Sequence, residues 1–337
     1  MNDQAPISLL ILSDGRPGHY RQSEAIVMAI ARRRKTIVNR IELPPPAITP
    51  LRLAKYAALW LSPSFVMRRL YGVNIEVLSR PNLIISAGGQ TLAANVALAR
   101  HFNVPNMYSG TPKHLGGKRF KLVLSPYLSA ASQPNTAYAL KPCALDPDKL
   151  PVPKLFAGHD FNFRIALLIG GPIASAKFEK PDWLALAQLM KEFSRVYAVR
   201  FVLVTSRRTP IEAYEAFDPL LTEQGIVDKF IDHRRAGSGS IAEAYAADAI
   251  WATLDSMSMV SEGCAARRPT IALAPAKTAP CNDDEAISSL ASERRIALVK
   301  IHQTDAAHMA TAMKSTEPMK QNHLDELAHL VLTATRL

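Results

Sequence analysis

One short loop near the start of the chain places a carboxylate and an imidazole five positions apart. Asp14 and His19 lie in the segment SDGRPGH (13–19), which also contains Gly15 and Gly18. The two side chains can exchange a proton with a ligand or bind a sugar hydroxyl, and the glycines allow a ligand to approach the backbone closely. We therefore predict that His19 and Asp14 are catalytic. A simpler interpretation, in which Asp14 caps the turn and His19 packs beside it, stays open.

A second glycine-containing loop, SAGGQT (86–91), follows another apolar run. Its Gln90 amide could hold a hydroxyl-rich or amide-bearing group, although a plain tight turn explains the same residues. We predict that the two loops together bind substrate through Gly15, Gly18, Gly88, Gly89 and Gln90.

Two loops in the second half of the chain could bind phosphate. The first, GGPIASAK (170–177), offers backbone N–H groups and the Lys177 cation, unless it is only a flexible connection. The second, TSRRTP (205–210), places two arginines before a helix start, where cations oppose the helix dipole unless an anion is present. We therefore predict a diphosphate site rather than two solvated charges, formed by Gly171, Lys177, Ser206, Arg207 and Arg208.

A third loop in this half, TLDSMSMVSE (253–262), begins another helix. Ser256 and Ser258 can share the helix N–H groups with a phosphate, and Glu262 can accept two hydroxyl hydrogen bonds from a ribose. A plain N-cap and a surface carboxylate are the alternatives. The methionines fit core positions better than ligand contacts. The predicted binding set in this loop is Asp255, Ser256, Ser258, Met259 and Glu262.

All of these loops follow apolar runs that alternate with helical stretches. This order predicts parallel sheets with right-handed crossovers, in which ligands bind beyond the carboxyl ends of the strands. The pattern restarts after a proline-rich segment at 141–160. The prediction is an α/β chain of two Rossmann-like, doubly wound domains, 1–155 and 156–337, with the last helix packing back on the first domain.

Composition excludes several other classes. The 337 residues are 48% hydrophobic and 20% charged, which is globular rather than disordered or rod-like. The three cysteines show no zinc spacing, and no secretory signal or transmembrane run is present. The D-x-D pattern at 146–148 lies in the proline-rich segment, so no metal is expected. The chain lacks a helix-turn-helix pattern and an aromatic RNA-binding strand, so nucleic-acid binding is not expected.

The net charge of +11 is unevenly distributed. Residues 1–155 contain 20 Lys and Arg against 7 Asp and Glu, whereas the rest of the chain is almost neutral. Within the basic half, residues 51–71 are apolar, carry Trp60 and include Arg68 and Arg69. This pattern is typical of a segment that inserts at an anionic membrane surface, although an ordinary buried helix fits it too.

Three segments together resemble a known family: SDGRPGHYRQSEAI (13–26), TSRRTP (205–210) and TLDSMSMVSEGCAARRPT (253–270). They are similar to the mitochondrial-fission "elongated mitochondria" family, which has plant and bacterial members. The resemblance implies a GT-B architecture, with two Rossmann-like domains facing across a cleft. It also implies a nucleotide sugar in the second domain and an acceptor in the first. His19 falls on the position of the proposed base, and the resemblance gives diphosphate and ribose binding to Ser256, Ser258 and Glu262.

We therefore expect a metal-independent glycosyltransferase without a cofactor, whose co-substrate is a nucleotide diphosphate sugar and whose acceptor is a lipid or glycolipid. The lack of a transit peptide suggests a bacterial, cytoplasmic protein, peripheral on the inner face of the membrane. Because the plant branch recruits a dynamin-like protein, a non-catalytic membrane adaptor is the first alternative. A sugar-nucleotide epimerase or hydrolase is the second.

Overall fold

The computed structural model describes residues 5–47, 51–235, 237 and 239–337. The strands are β1 (Ile7–Ser13), β2 (Thr36–Glu42), β3 (Leu83–Ala87), β4 (Asn106–Ser109), β5 (Leu122–Ser125), β6 (Thr136–Tyr138), β7 (Arg164–Leu168), β8 (Arg200–Val204), β9 (Val227–Ile231), β10 (Ala249–Thr253), β11 (Thr270–Ala274) and β12 (Ile296–Lys300). The helices are α1 (Pro17–Ala31), α2 (Leu51–Trp60), α3 (Pro63–Tyr71), α4 (Leu92–Phe102), α5 (Lys180–Tyr197), α6 (Ile211–Thr222), α7 (Ile241–Tyr245), α8 (Met257–Ala265), α9 (Asp283–Ser292), α10 (Ala306–Ser315) and α11 (His323–Thr335).

Unit 1 comprises Met1–Ala144 together with Gln321–Leu337. Its six strands form one parallel sheet in the order β2-β1-β3-β4-β5-β6. The central strands are continuous apolar runs because helices cover both faces of the sheet. One of those helices is α11, which packs against α1. An ion pair between Arg32 and Asp325, with 3.0 Å between Nε and Oδ1, joins the two helices.

Unit 2 comprises Leu145–Lys320 and repeats the architecture with a parallel sheet in the order β12-β11-β10-β7-β8-β9. Its core is rich in aromatic side chains, among them Trp183, Phe193 and Trp251. The predicted fold class, two Rossmann-like α/β units, is confirmed.

The boundary between the units lies earlier than the predicted position after residue 155. The Lys154 N–H donates to Asp248 Oδ1 over 2.9 Å, and Arg268 Nη2 donates to the Pro151 carbonyl over 2.6 Å. These bonds attach the proline-rich segment to unit 2, so the division falls at Ala144 and Leu145.

The apolar segment 51–71 forms two helices rather than one. Pro63 occupies the first turn of α3, where its missing N–H has no cost. The Ser62 hydroxyl accepts from the Phe65 N–H over 3.3 Å and caps the helix. Within the described residues, no helix is both long and apolar enough to cross a membrane.

Candidate functional site

The first part of the site lies in unit 1, where the loop after β1 leads into α1. His19 Nδ1 is 2.7 Å from Asp14 Oδ2, and the Asp14 side chain is fully buried while that of His19 is 31% exposed. Because a carboxylate oxygen accepts hydrogen bonds, Nδ1 carries the proton and donates it. Nε2 is then the basic nitrogen, and no described residue is hydrogen-bonded to it. The imidazole is therefore oriented so that Nε2 can take up a proton from a ligand.

Asp14 also performs the capping role that sequence reasoning left open. Its Oδ1 accepts from the Arg16 N–H over 3.2 Å while its Oδ2 binds His19. The two interpretations of this loop are therefore compatible, since one carboxylate shapes the turn and orients the imidazole.

The loop after β3 brings Gly88 against the same pair. A Cβ at Gly88 would lie 2.2 Å from His19 Nδ1 and 2.8 Å from Asp14 Oδ2, and the residue has a φ of +88°. The two loops meet because β1 and β3 are neighbours in the sheet, with Leu12 paired to Ser86. Gly88 is therefore the glycine of this loop that the His19–Asp14 pair requires.

A polar network that sequence reasoning missed supports this arrangement. Gln22 Nε2 donates to the Gly18 carbonyl over 2.6 Å, and Ser109 Oγ donates to Gln22 Oε1 over 2.8 Å. The network connects the first turn of α1 to the end of β4. No sequence pattern pairs Gln22 with Ser109, because their proximity depends on the strand order.

The remaining predicted residues of unit 1 line the same edge with space around them. Gly15 has a φ of +72°, and a Cβ at Gly18 or Gly89 would meet no atom within 4 Å. The backbone of Gln90 is held by the Tyr71 hydroxyl, which donates to its carbonyl over 2.8 Å. Gln90 as a whole is half-buried.

The second part of the site lies in unit 2, where the loops after β7 and β8 are joined. Ser206 Oγ donates to the Gly170 carbonyl over 2.8 Å, and Thr209 Oγ1 donates to the same oxygen over 2.9 Å. The turn between these two residues carries Arg207 and Arg208, both exposed. The hydroxyls therefore fix two cations beside a glycine-containing loop.

The neighbouring glycines leave no room for side chains. A Cβ at Gly171 would lie 2.2 Å from the Arg208 carbonyl oxygen, and one at Gly170 would lie 2.3 Å from Asp255 Oδ1. The loops after β7, β8 and β10 thus converge on Gly170 and Gly171. The predicted diphosphate residues Gly171, Ser206 and Arg208 are brought together, and the charge of Arg208 acts on Asp255.

The loop after β10 ends in the N-terminus of α8. Ser256 stands at the N-cap position, but its side chain makes no capping hydrogen bond. The N–H groups of Met257 and Ser258 have no acceptors within the helix, whereas the Met259 N–H donates to the Ser256 carbonyl over 3.0 Å. Together with the helix dipole they provide donors for an anion.

Asp255 supports this loop from the interior. It is 2% exposed, its Oδ1 accepts from Thr253 Oγ1 over 2.6 Å, and its Oδ2 is enclosed without a hydrogen-bond partner among the described residues. Burial raises the pKa of Asp255 to about 6. The proton is favoured because an enclosed carboxylate loses its hydration.

The other predicted residues of unit 2 lie at different depths. Met259 is buried, which fits a core position. Glu262 is half-buried on α8 and accepts a hydrogen bond from the Tyr245 hydroxyl. Lys177 is exposed, next to a bridge between Ala176 and Thr278 that ties the loop after β7 to the loop after β11.

A cavity of about 580 Å³ opens beside these loops within unit 2. It is lined by Leu254, which directly precedes Asp255, and by polar groups that include Asp284, Lys300 and His308. This volume is in the range of small-molecule sites. Over the described residues, no cluster of three or more His, Cys, Asp or Glu side chains could hold a metal ion. Asp146 of the D-x-D pattern instead accepts from the Asp148 N–H over 3.2 Å in a 3-10 turn.

The fold and the loops at its strand ends define a class, the proteins with two Rossmann-like units of the GT-B type. The 2-epimerase for UDP-GlcNAc from Methanocaldococcus jannaschii is similar, with a TM-score of 0.60 and 12% identity over 99% of this chain and 100% of that one. The S. aureus MnaA–UDP structure has a TM-score of 0.57 and 12% identity over 98% of both chains. The UDP-GlcNAc 2-epimerase from Neisseria meningitidis bound to UDP-GlcNAc has a TM-score of 0.55 and 10% identity, over 98% of this chain and 99% of that chain.

The family is shown by sequence. The family model described as mitochondrial fission ELM1 matches residues 17–333, and the chain belongs to this family. The resemblance inferred from three segments is thereby confirmed. No curated protein matches the chain significantly.

Proposed function

We propose that this protein binds a nucleotide diphosphate sugar and transfers the sugar to an acceptor hydroxyl. The observation that carries the proposal is the His19–Asp14 pair, which offers a basic Nε2 at the carboxyl edge of the unit 1 sheet. A buried carboxylate at 2.7 Å fixes the tautomer and stabilises the imidazolium that forms when the proton arrives.

Unit 2 would bind the donor. The Arg207–Arg208 turn and the α8 N-terminus supply positive charge and N–H donors for a diphosphate, and Glu262 would hold the ribose. The cavity next to Leu254 has room for the sugar. Similar folds in the S. aureus UDP structure and in the Neisseria structure with UDP-GlcNAc support this choice of ligand class.

The proposed reaction needs no metal ion. His19 Nε2 accepts the proton of the acceptor hydroxyl while that oxygen forms a bond to the anomeric carbon. The bond from this carbon to the diphosphate oxygen breaks, and the electron pair leaves with the nucleotide diphosphate. Arg207, Arg208 and the N–H groups of α8 would stabilise the charge that develops on the leaving group.

Calorimetry with UDP, GDP, ADP and CMP tests the donor site. We expect one of the nucleotides to bind, and Arg207→Ala or Glu262→Ala to weaken binding about tenfold or more because a charge-assisted contact is lost. Lys149→Ala, an exposed lysine of the same unit, is the matched control. Absence of binding to the parent protein, or equal binding by all variants, would refute the donor assignment.

Epimerisation or hydrolysis of the donor is a second candidate, favoured by the similarity to two UDP-GlcNAc 2-epimerases. Product analysis separates the reactions. A sugar nucleotide incubated without acceptor should stay unchanged if the protein is a transferase. An epimeric sugar nucleotide or a free sugar under these conditions would establish the second candidate instead.

The acceptor is proposed to be membrane-borne because of the α2–α3 surface, which consists of exposed apolar side chains. Trp60 is 83% exposed. The surface comprises Leu53, Tyr56, Trp60, Leu61 and Phe65. No acidic residue occurs from 43 to 75, whereas Arg52, Arg68 and Arg69 do. Apolar and cationic groups on one surface fit an anionic bilayer.

Vesicle flotation tests this surface. The parent protein should float with anionic vesicles and dissociate as salt rises, while Trp60→Ser and Arg68→Glu/Arg69→Glu should stay in the dense fractions. Leu128→Ser, an exposed apolar residue of the same unit outside this surface, should float like the parent. If membrane binding persists and His19→Ala retains biological activity, the protein is an adaptor rather than a transferase.

A further inference from the structure

Lys55, on α2, is the one lysine of the described residues that is buried, with 5% of its surface exposed. An ordinary surface lysine keeps its ammonium group in water while its stem packs on apolar side chains. Lys55 does not have that freedom. Lys55 Nζ has no hydrogen-bond partner among the described residues. It is nevertheless absent from the set of fully enclosed side-chain atoms that lack a partner, so Nζ still reaches solvent.

The surroundings of Lys55 place it beside a second cation. Leu59, one helical turn further along α2, packs on the cluster that contains Leu115 and Phe120. The helix therefore lies against the 3-10 turn Lys113–Leu115. Burial lowers the pKa of Lys55, and the positive charge of Lys113 lowers it further.

No group in the described residues compensates these two charges. Neither lysine has a hydrogen bond or an ion pair to a described residue. The nearest acidic residues along the chain from Lys55 are Glu42 and Glu76. Dehydration and like-charge repulsion both oppose a charged Lys55, and a bound anion would relieve both costs at once.

The strand order shows which loops of unit 1 lie next to the turn that carries Lys113. The turn with Lys113 follows β4, and the loop with Gly88 follows β3. These strands are neighbours, with Ala87 paired to Ser109, so both loops leave the same edge of the sheet side by side. An anion at Lys55 and Lys113 would therefore occupy the edge that also carries the His19–Asp14 pair.

We propose that Lys55 and Lys113 bind a phosphate group at the carboxyl edge of the unit 1 sheet, and that this phosphate belongs to the acceptor. The assignment of this phosphate to the acceptor rests on the proposed function, whereas phosphate binding by the two lysines does not. A phosphate monoester dianion matches two ammonium groups in charge, and lysine binds phosphate as a point charge. The carrier is either a lipid phosphate or a soluble phosphorylated compound.

The site is tested with inorganic phosphate and with short-chain phosphatidic acid below its micelle concentration. Both titrations use the full-length Arg207→Ala/Arg208→Ala protein, so that the cations of unit 2 do not compete. Phosphorus NMR reports binding. Lys55→Met, which keeps the apolar stem, and Lys113→Met, which changes an exposed side chain, should each weaken binding about tenfold or more. Lys118→Met, an exposed lysine of the same segment, is the matched control.

Thermal unfolding gives an independent readout. In the same Arg207→Ala/Arg208→Ala background, phosphate should raise the melting temperature of the protein and of its Lys118→Met variant, but not that of its Lys55→Met variant. The Lys55→Met variant should itself melt higher because a dehydrated charge is gone. Tighter binding of phosphatidic acid than of inorganic phosphate identifies a lipid carrier, and the reverse identifies a soluble one. Equal binding by the Lys55, Lys113 and Lys118 variants would overturn the site. Because nucleotide binding is measured separately, failure of the donor assignment leaves this result standing.

Discussion

The two units build different chemistry on the same scaffold. Each has a six-stranded parallel sheet whose loops converge at the carboxyl ends of its central strands. In unit 1, a glycine makes room for two side chains that contact each other, Asp14 and His19. In unit 2, the glycines instead face the backbone of Arg208 and the carboxylate of Asp255.

Under the proposed function, this difference separates proton transfer in unit 1 from charge binding in unit 2. The pair in unit 1 depends on one short hydrogen bond and on the absence of a Cβ at Gly88. The two arginines in unit 2 are exposed. They are positioned by the hydroxyl groups of Ser206 and Thr209, which donate to the Gly170 carbonyl. Changes at the first edge should therefore affect turnover, and changes at the second should affect ligand affinity.

The largest expected effect tests this separation directly. His19→Ala should lower the turnover of sugar transfer by about 10²–10⁴-fold, the usual value of a general base. Nucleotide affinity measured by calorimetry should be unchanged, because the change lies in unit 1. His114→Ala, an exposed histidine of the same unit, should retain full activity. A large loss of nucleotide affinity in His19→Ala would show that the two edges are not separable.

Two neighbouring glycines allow a matched comparison. Gly88→Ala places a methyl group 2.2 Å from His19 Nδ1 at a φ of +88°, so it should lower the free energy of unfolding by about 3 kcal/mol and abolish turnover. Gly89→Ala meets no atom within 4 Å and should leave the free energy of unfolding unchanged. Chemical denaturation and the transfer assay measure both variants. Equal effects of the two changes would contradict the close contact with His19.

The buried carboxylate of unit 2 predicts a pH dependence. Because the pKa of Asp255 is raised from 3.8 to about 6 in the folded state, the native protein binds this proton more tightly than the unfolded chain. The stabilisation of the folded state by this bound proton is complete below about pH 4 and is lost as pH rises through about 6. Asp255→Asn has no titrating group at this position. The free energy of unfolding of the variant, relative to that of the parent, should therefore rise by about 2 kcal/mol from pH 4 to pH 7.

Parallel denaturation curves of the two proteins at several pH values measure that difference. A difference that does not vary with pH would show that Asp255 titrates normally.

The smallest effect concerns the hydroxyl groups beneath the arginines. Ser206→Ala should lower the free energy of unfolding by about 1 kcal/mol, the value of one hydrogen bond, because Thr209 still donates to the Gly170 carbonyl. Nucleotide affinity should fall only a few-fold. Ser206→Ala/Thr209→Val removes both donors and should cost more than the sum of the single changes, which denaturation and calorimetry can measure.

Much of the fold could be predicted from the sequence. The apolar runs that precede the loops of the second half, among them 249–253, coincide with strands such as β10, because a buried strand is a continuous apolar run. Strands β6 and β12 give a weaker signal. They are the edges of their sheets, β6 has three half-buried residues, and only Ile296 and Val299 of β12 are buried. The sequence of β6, TAY, contains no apolar run, and the apolar run of β12, IALV, is only four residues long.

The site was predictable only as far as strand ends could be located. The sequence predicted that the His19 and Gly88 loops both follow strands, but not that Gly88 contacts His19. The contact between Ser109 and Gln22, and the burial of Lys55, depend on which strands and helices become neighbours. A single sequence does not contain that information, so these residues were not recognised as support or as a further site.

The return of the chain to its first unit has a consequence for synthesis. Leu324, Leu327 and Val331 of α11 complete the core beside α1, yet they leave the ribosome only after all of unit 2 has been made. During synthesis, unit 1 therefore keeps an apolar face exposed to water while unit 2 can already fold. A nonsense codon just before α11 would therefore remove part of the core of unit 1 while leaving unit 2 whole.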